Sequence, residues 1–551
     1  MFPTLPADGI RNLLRSRKGK WLSKPKSIAA FGKGLAIASA LRHTAIMQDN
    51  TPILIGAGQA MEPVPDDLST AASHAEMAGR AAQVAMSDAG LSGETVDWLA
   101  SVRTFSDSSP AYACPFGGPN KFPLAVAARI GATPATAIYD VIGGQSPQTL
   151  VAEAAQALMT GEVRVAVIAG GEALANMRAA QRSGTTLDWS EEHEGDWTDR
   201  GPFQGAMIVS QTELAHGLMD AMSYYGFIET ARRLRAGRSV EAHRRYMAEL
   251  IARMSEVASH NPFAMFKDVF TADDIATPSA ANRHLISPYL KNMVAKDGIN
   301  QGAAVVMTTI GTARELGVPE NKWVYLRGHA QAHENLMLDR ADISRSVAMD
   351  IVIAEALKAA DANTSDIDHA DIYSCFPCVV DQAATQLDRK GKPMTLTGGL
   401  PFFGGPGNNY TLHGICEVVA ACRRTPGSLG LAHGNGGWMS KQAIGLYSTL
   451  WEDGDVFADK TEIAAQVAAQ PSPGQTDRPS GPATMESYIV QHKRGEPVDA
   501  TVIGQLEDGV RFYAKLQDMD AAKLTALAAG ELDDVQLKVE TAMPANKAWL
   551  A

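Results

Sequence analysis

Cysteine is scarce in this chain, with five thiols (114, 375, 378, 416 and 422) among 551 residues. An odd set without regular spacing makes no disulfide framework, which points to reduced thiols in a cytosol-like compartment, and a cytoplasmic protein is expected. Long apolar runs are also missing. Glycine or charge interrupts each hydrophobic stretch well short of the roughly 18 residues a membrane-spanning helix needs, so no transmembrane segment is expected. Net positive charge is lacking too: the balance of −12 argues against nucleic acid or an anionic membrane as partner, although it leaves room for a local basic patch. Acidic residues are absent between Ile10 and Gln48, a stretch that carries nine Lys or Arg. Two readings of it stand: an organelle transit peptide, or a poorly ordered extension (1–48) ahead of a domain that begins near Met47.

The chain is otherwise of ordinary globular composition, 45% apolar and 20% charged, and long enough for two or more domains. Its organising stretch is Gly143-Gly144-Gln145-Ser146-Pro147-Gln148, followed by a small-residue helix to Thr160, a strand Val163–Ala169 and Gly170-Gly171. The glycine pair permits a tight turn and a close backbone approach, and Ser146-Pro147 reads as N-cap and first helical residue. A helix so poor in polar residues is suited to burial, so its first-turn N–H groups would face the interior, where an anion, oxyanion or nucleophile could use them. The pattern recurs. Gly398-Gly399 and Gly404-Gly405-Pro406-Gly407-Asn408-Asn409-Tyr410 lead into a helix to Arg423, a strand at Leu429 and Gly434-Asn435-Gly436-Gly437. Two copies of one unit suggest a duplicated α/β core with both helix starts near its centre.

In order, a strand at Pro52–Ile55 ends in Gly56-Ala57-Gly58, a weak match to a nucleotide-binding turn. The first half is placed at 49–310, with a charged, helical insertion at about 172–290 that includes helices at Asp188–Arg200 and Ser239–Ser259. The second half is placed at 311–467. Alternating strands and helices favour a mainly parallel sheet. Residues 468–481 have linker composition. From 482 to 551, alternating strands around the Asp508-Gly509 turn, with a closing strand near Val535–Val539, predict a small antiparallel β-barrel.

Gly143 to Gln148, Ala169-Gly170-Gly171-Glu172, Tyr373-Ser374-Cys375-Phe376-Pro377, Gly404 to Tyr410 and the Gly-Pro-Ala-Thr start of the tail together resemble the thiolase superfamily. The resemblance is closest to its type-1 thiolase-like, acetyl-CoA acetyltransferase-like proteins with an additional C-terminal domain. It spans Thr51 to the C-terminus and implies two βαβαβαββ halves in a five-layered core, a loop insertion, and an acyl-CoA pocket where the two buried helices meet. Thiolases carry a nucleophilic Cys, a Gly-His-Pro histidine as base and a second Cys as acid. The matching positions here are Gly144, Gly405 and a place at or beside Asn435, so the usual triad is missing.

Several residues are candidates to replace it. Ser146 is the nearest hydroxyl, with the N-cap as its plainer role. Tyr373 stands where sterol-carrier-type thiolases have a His that helps bind the thioester oxygen; a phenol there could polarise a carbonyl or pack at a strand end. His413 could be an inward proton carrier or a core histidine, and Asn435 marks a close approach to ligand. Gly144, Gly404, Gly405 and Gly436 are the expected backbone contacts to a coenzyme A thioester. Cys375 and Cys378 form one Cys-x-x-Cys with no second pair, so buried thiols are expected and a metal site is not. The resulting expectation is an acyl-CoA acyltransferase or C–C bond-cleaving enzyme of lipid metabolism without the usual triad, with a non-catalytic acyl-CoA or lipid binder as the alternative. No tightly bound cofactor is expected. The chain is read as a monomer or homodimer, with the C-terminal β domain as a possible partner surface.

Overall fold

The computed structural model describes residues 48–202, 209–452 and 454–551, so the basic extension expected at 1–48 lies almost wholly outside the described residues. Strand β1 (Pro52–Met61) continues past the expected end at Ile55 because Gly56 and Gly58 let helix α1 (His74–Ala89) lie directly on it. A Cβ on Gly56 would stand 2.2 Å from Ala85 O, and one on Gly58 2.3 Å from Ala81 O. These glycines therefore serve helix–strand packing. Ser73 opens α1 by accepting the Glu76 N–H at 3.1 Å, and Gly90, at φ +71°, closes it.

The first half continues through β2 (Trp98–Ser101), α2 (Phe122–Ile130), β3 (Thr136–Tyr139), α3 (Ser146–Thr160) and β4 (Val165–Ala173). An insertion follows with β5 (Thr198–Asp199), α4 (Ala221–Arg235), α5 (Val240–His260), β6 (His284–Ile286) and β7 (Tyr289–Leu290), before β8 (Asn300–Thr309). The second half comprises β9 (Val324–His333), α6 (Val347–Ala359), β10 (Ile367–Asp371), α7 (Pro377–Gln386), α8 (Tyr410–Arg424), β11 (Leu429–Gly436) and β12 (Lys441–Ser448).

Pairing shows the duplication directly. β4 runs parallel to β2 and antiparallel to β8, which is antiparallel to β1; in the second copy β11, β10, β12 and β9 repeat these relations. The copies join where Ile53 pairs with Tyr325 and Leu54 with Val324, giving one ten-stranded sheet in the order β10-β11-β12-β9-β1-β8-β4-β2-β3-β5. The sheet is mixed rather than mainly parallel, since the last two strands of each half run antiparallel. Among the described residues the second half has no counterpart of β3; a glycine-rich loop occupies that part of the chain. Helices α3 and α8 share one apolar core, in which Leu150, Val151, Ala154 and Leu158 meet Leu412, Ile415, Val418 and Val419.

The expected helix at Asp188–Arg200 is not formed. Glu191, Glu192, Glu194 and Asp196 crowd like charge, and Gly195 sits at φ +123°. Asn120 takes up the extended chain instead, donating to Glu192 at 2.7 Å and accepting from His193 N at 2.9 Å. In the tail, β13 (Gly481–Lys493), β14 (Glu496–Leu506), β15 (Arg511–Leu516), β16 (Leu537–Glu540) and β17 (Lys547–Leu550) close into a barrel, with α9 (Ala521–Ala529) before β16. Closure runs β14-β15-β17-β16-β13 and back to β14, and the β15–β17 pair is parallel, so the barrel is not purely antiparallel. The insertion extends the same sheet through the pairing of Gln491 with Ile286.

Candidate functional site

The turn that opens α3 is clamped by the second half. Gly143, at φ +133°, donates its N–H to Asn408 Oδ1 at 2.9 Å, and Thr411 at the start of α8 donates its hydroxyl to Gly144 O. Asn408 also donates to Arg103 O at 2.8 Å, and Asn409 to Gly170 O at 2.8 Å. The β11–β12 turn closes the remaining side: a Cβ on Gly436 would lie 2.0 Å from Gln145 Oε1 and 3.0 Å from Gly143 Cα. The beginnings of the two buried helices thus meet, as the duplicated glycine turns predict, but through Asn408 and Thr411. Gly404 and Gly405 have other neighbours. Gly405 donates its N–H to Lys296 O at 2.7 Å, and a Cβ on Gly404 would press on Ile299 and Gln301.

Tyr373 occupies the space that a side chain at position 144 would need. A Cβ built on Gly144 stands 2.4 Å from Tyr373 Oη and 2.5 Å from Asn435 O, so the glycine and the tyrosine are complementary. The phenol comes from the chain two residues beyond β10 and packs edge-on against Tyr410, 5.4 Å between ring centroids. Burial, with the neighbouring Cys375, pushes its pKa well above the ordinary tyrosine range, so it is a neutral O–H donor. Among the described residues its hydroxyl has no hydrogen-bond partner. Below it Tyr410 is fixed by Thr397 at 2.6 Å, and Thr397 in turn by the buried Asp371.

Asn435 has both ends of its amide engaged. It donates to Tyr225 Oη at 2.8 Å and accepts from Gln442 Nε2 at 2.8 Å, while Gln442 Oε1 faces His433 Nε2 at 3.1 Å. Its Nδ2 lies 3.7 Å from Cys375 Sγ. A sulfur therefore does approach the place of the missing acid cysteine, from the loop between β10 and α7, and burial raises that thiol to about 12. Tyr225, on α4 of the insertion, donates to Gly437 O and accepts from Met439 N, both at 3.2 Å, and stacks on Phe376 at 4.2 Å. Sequence pattern did not single it out; a Tyr224-Tyr225 pair inside a charged helical stretch was its only signal.

Two candidates are placed differently from expectation. Ser146 is the first residue of α3 and not its cap, which is Gln145 without a side-chain cap bond; the Ser146 hydroxyl is fully buried and donates to Asp140, itself paired with Arg200 at 2.9 Å. Proline at the second position and the Asp140–Arg200 pair turn that hydroxyl into a structural donor. His413 lies about 200° around α8 from Thr411 at 100° per residue. It bonds Gln59 Oε1 through Nδ1 at 2.7 Å and meets Phe403 edge-on at 5.2 Å, and burial lowers its pKa to about 3. It is a neutral histidine of the β1–α8 packing. Among the described residues no group of three or more His, Cys, Asp or Glu side chains could hold a metal ion.

A duplicated β-sheet core with two buried helices meeting at their N-termini is the thiolase fold. It is shared at the level of architecture with human mitochondrial 3-ketoacyl-CoA thiolase (14% identity, TM-score 0.51, 73% of this chain and 100% of that chain) and with the Ltp2-ChsH2(DUF35) aldolase (18% identity, TM-score 0.54, 74% and 98%). A much nearer structure is a monomeric SCP2-thiolase-like protein type 1 from Mycobacterium smegmatis, 36% identical over 92% of this chain and 100% of that one, with a TM-score of 0.78. The family description "Thiolase-like protein type 1 additional C-terminal domain" matches residues 462–541. The chain belongs to the SCP2-thiolase-like type 1 family. No curated protein matches it.

Proposed function

We propose that the protein binds an acyl-CoA thioester where α3 and α8 begin, and makes or breaks a carbon–carbon bond beside the thioester carbonyl without an acyl-enzyme. The observation that carries this reading is the Tyr373 phenol standing against Gly144 with no partner for its O–H among the described residues. Breaking the bond between the α and β carbons leaves negative charge on the thioester oxygen, and a neutral phenol beside a helix N-terminus can donate to that oxygen. Tyr373 thus takes over electrostatic stabilisation, and the covalent step disappears with the cysteine. The same fold carries an aldolase as well as a thiolase, so C–C bond cleavage lies within its range. No described helix is long and apolar enough to cross a membrane. An acyl-CoA ligand would set the protein in lipid metabolism, in the cytoplasm or, should residues 1–46 be a transit peptide, in an organelle.

The filling of the nucleophile's space by an aromatic ring favours a second reading, an acyl-CoA or lipid binder that turns nothing over. A panel of β-hydroxy, β-keto and saturated CoA thioesters separates the two. The enzyme reading expects time-dependent loss of one class, reduced at least a hundredfold in Tyr373→Phe, with calorimetric affinity for the thioester kept within about threefold. Binding without turnover selects the binder, unchanged turnover in Tyr373→Phe removes the tyrosine from the chemistry, and no binding defeats both.

A further inference from the structure

Lys296 lies on the segment leading into β8, with its backbone tied to the second glycine loop: its carbonyl accepts the Gly405 N–H at 2.7 Å and its N–H donates to Leu400 O at 3.2 Å. The side chain enters a cup of three phenylalanines. Nζ stands 5.3 Å from the ring centroid of Phe266, 5.1 Å from Phe270 and 5.4 Å from Phe402. Phe402 is fully buried, while Phe266, Phe270 and Lys296 keep partial exposure, so the rim of the cup reaches the protein surface. Among the described residues no carboxylate, carbonyl or hydroxyl accepts a hydrogen bond from Nζ.

Such surroundings suit an amine better than an ammonium. Ring faces hold a cation only weakly at accessible sites, which does not replace lost water. Burial therefore pulls the Lys296 pKa down to about 8; Lys291 adds repulsion and Asp268 opposes it. At neutral pH a larger share of this side chain is therefore free amine than the roughly one in a thousand of an ordinary lysine. A desolvated lysine in an apolar pocket is the usual way a protein makes an amine nucleophile.

We propose that the cup formed by Phe266, Phe270 and Phe402 is a binding site for an apolar aldehyde or ketone, which Lys296 Nζ captures as an imine. The nitrogen lone pair adds to the carbonyl carbon, the two amine protons pass through solvent to the carbonyl oxygen, and that oxygen leaves as water, so no oxidant or reductant takes part. The site shares no side chain with the Tyr373 junction and goes beyond the acyl-CoA reading.

Full-length protein incubated at pH 7.4 with hexanal and sodium cyanoborohydride, followed by peptide mass spectrometry, tests it. Lys296 should gain a hexyl group at least tenfold faster than Lys358 and Lys538, whose side chains are 68% and 65% exposed. Its rate should rise through about pH 8, and Lys296→Met should remove the fast label while leaving the melting temperature close to that of the parent. Phe270→Ala should cut the hexanal preference several-fold with little effect on labelling by formaldehyde. Labelling of Lys296 no faster than of the two exposed lysines, or a Phe270→Ala variant that keeps the full preference, overturns the proposal. Tyr373→Phe should label like the parent, so this site and the acyl-CoA reading fail or stand separately.

Discussion

Burial pushes the thiols of Cys375 and Cys416 up to about 12 and that of Cys422 to about 11, and it raises that of Cys378 well above the ordinary thiol range. Cys114 alone keeps partial exposure. Because the thiolate is the reacting form, native protein treated with iodoacetamide at pH 7.5 should take up one label per chain, at Cys114, and the other four only in urea. Mass spectrometry of the intact chain reads this directly. The histidines give a pH dependence of known sign. Burial lowers His329 and His433 to about 4 and His413 to about 3, so each is neutral in the fold and binds a proton at about 6.5 when unfolded. Their contribution is complete above pH 6.5 and is lost as pH falls toward 4, by about 1.4 kcal/mol per pH unit for each. His74 behaves oppositely. Although burial opposes it, hydrogen bonds to Cys114 and Glu172 hold His74 up at about 9, so its contribution is complete below pH 6.5 and is lost as pH rises through about 9. Urea midpoints should fall between pH 7 and 5.5, and the difference between parent and His74→Gln should shrink between pH 7 and 9.5.

The turn before α3 is the element on which the site depends, and its tolerance is narrow. Gly144→Ala places a methyl group 2.4 Å from a phenol oxygen that can move and 2.5 Å from an Asn435 carbonyl that is held in the β11–β12 ladder. The expected cost is about 1–3 kcal/mol in urea denaturation, and Tyr373→Ala in the same chain should recover only part of it, since the backbone clash persists. Sequence reading found this element because glycine pairs, buried helices and strand ends are local signals. It also singled out Tyr373, which the structure places against Gly144. It could not see that Tyr225 closes the site, because that ring arrives from an insertion whose helix carries no motif. Nor could it tell which face of α8 bears His413, since Thr411 and His413 both look inward in a helix buried nearly all round. The expected helix at Asp188–Arg200 failed for a related reason: composition there favours helix, but four acids in six residues and a glycine at positive φ do not.

At the scale of the molecule, the C-terminal barrel is fastened to the insertion by buried polar contacts. Arg233, 2% exposed, holds Asp533 through two bonds of 2.7 Å and Tyr488 at 3.0 Å; Ser487 donates to Phe227 O at 2.7 Å, and Tyr513 to Glu213 at 3.0 Å. Removing one partner of such a pair strands the other, so Arg233→Met should lower stability by about 3 kcal/mol in urea denaturation, whereas Lys538→Met on the barrel surface should change it by less than about 0.5 kcal/mol. A chain ending at residue 481 should melt well below the parent, because the faces of α4 and β6 that the barrel covers would be left bare. The seam between β1 and β9 bears on how the proposed acyl-CoA would get in. One hydrogen-bonded ladder crosses from copy to copy, so the halves have no hinge and cannot gape like a clamshell. Under the acyl-CoA reading the parts that would yield are side chains around the tyrosine, with Tyr225 of the insertion among the neighbours of Asn435, and the sheet beneath would stand still.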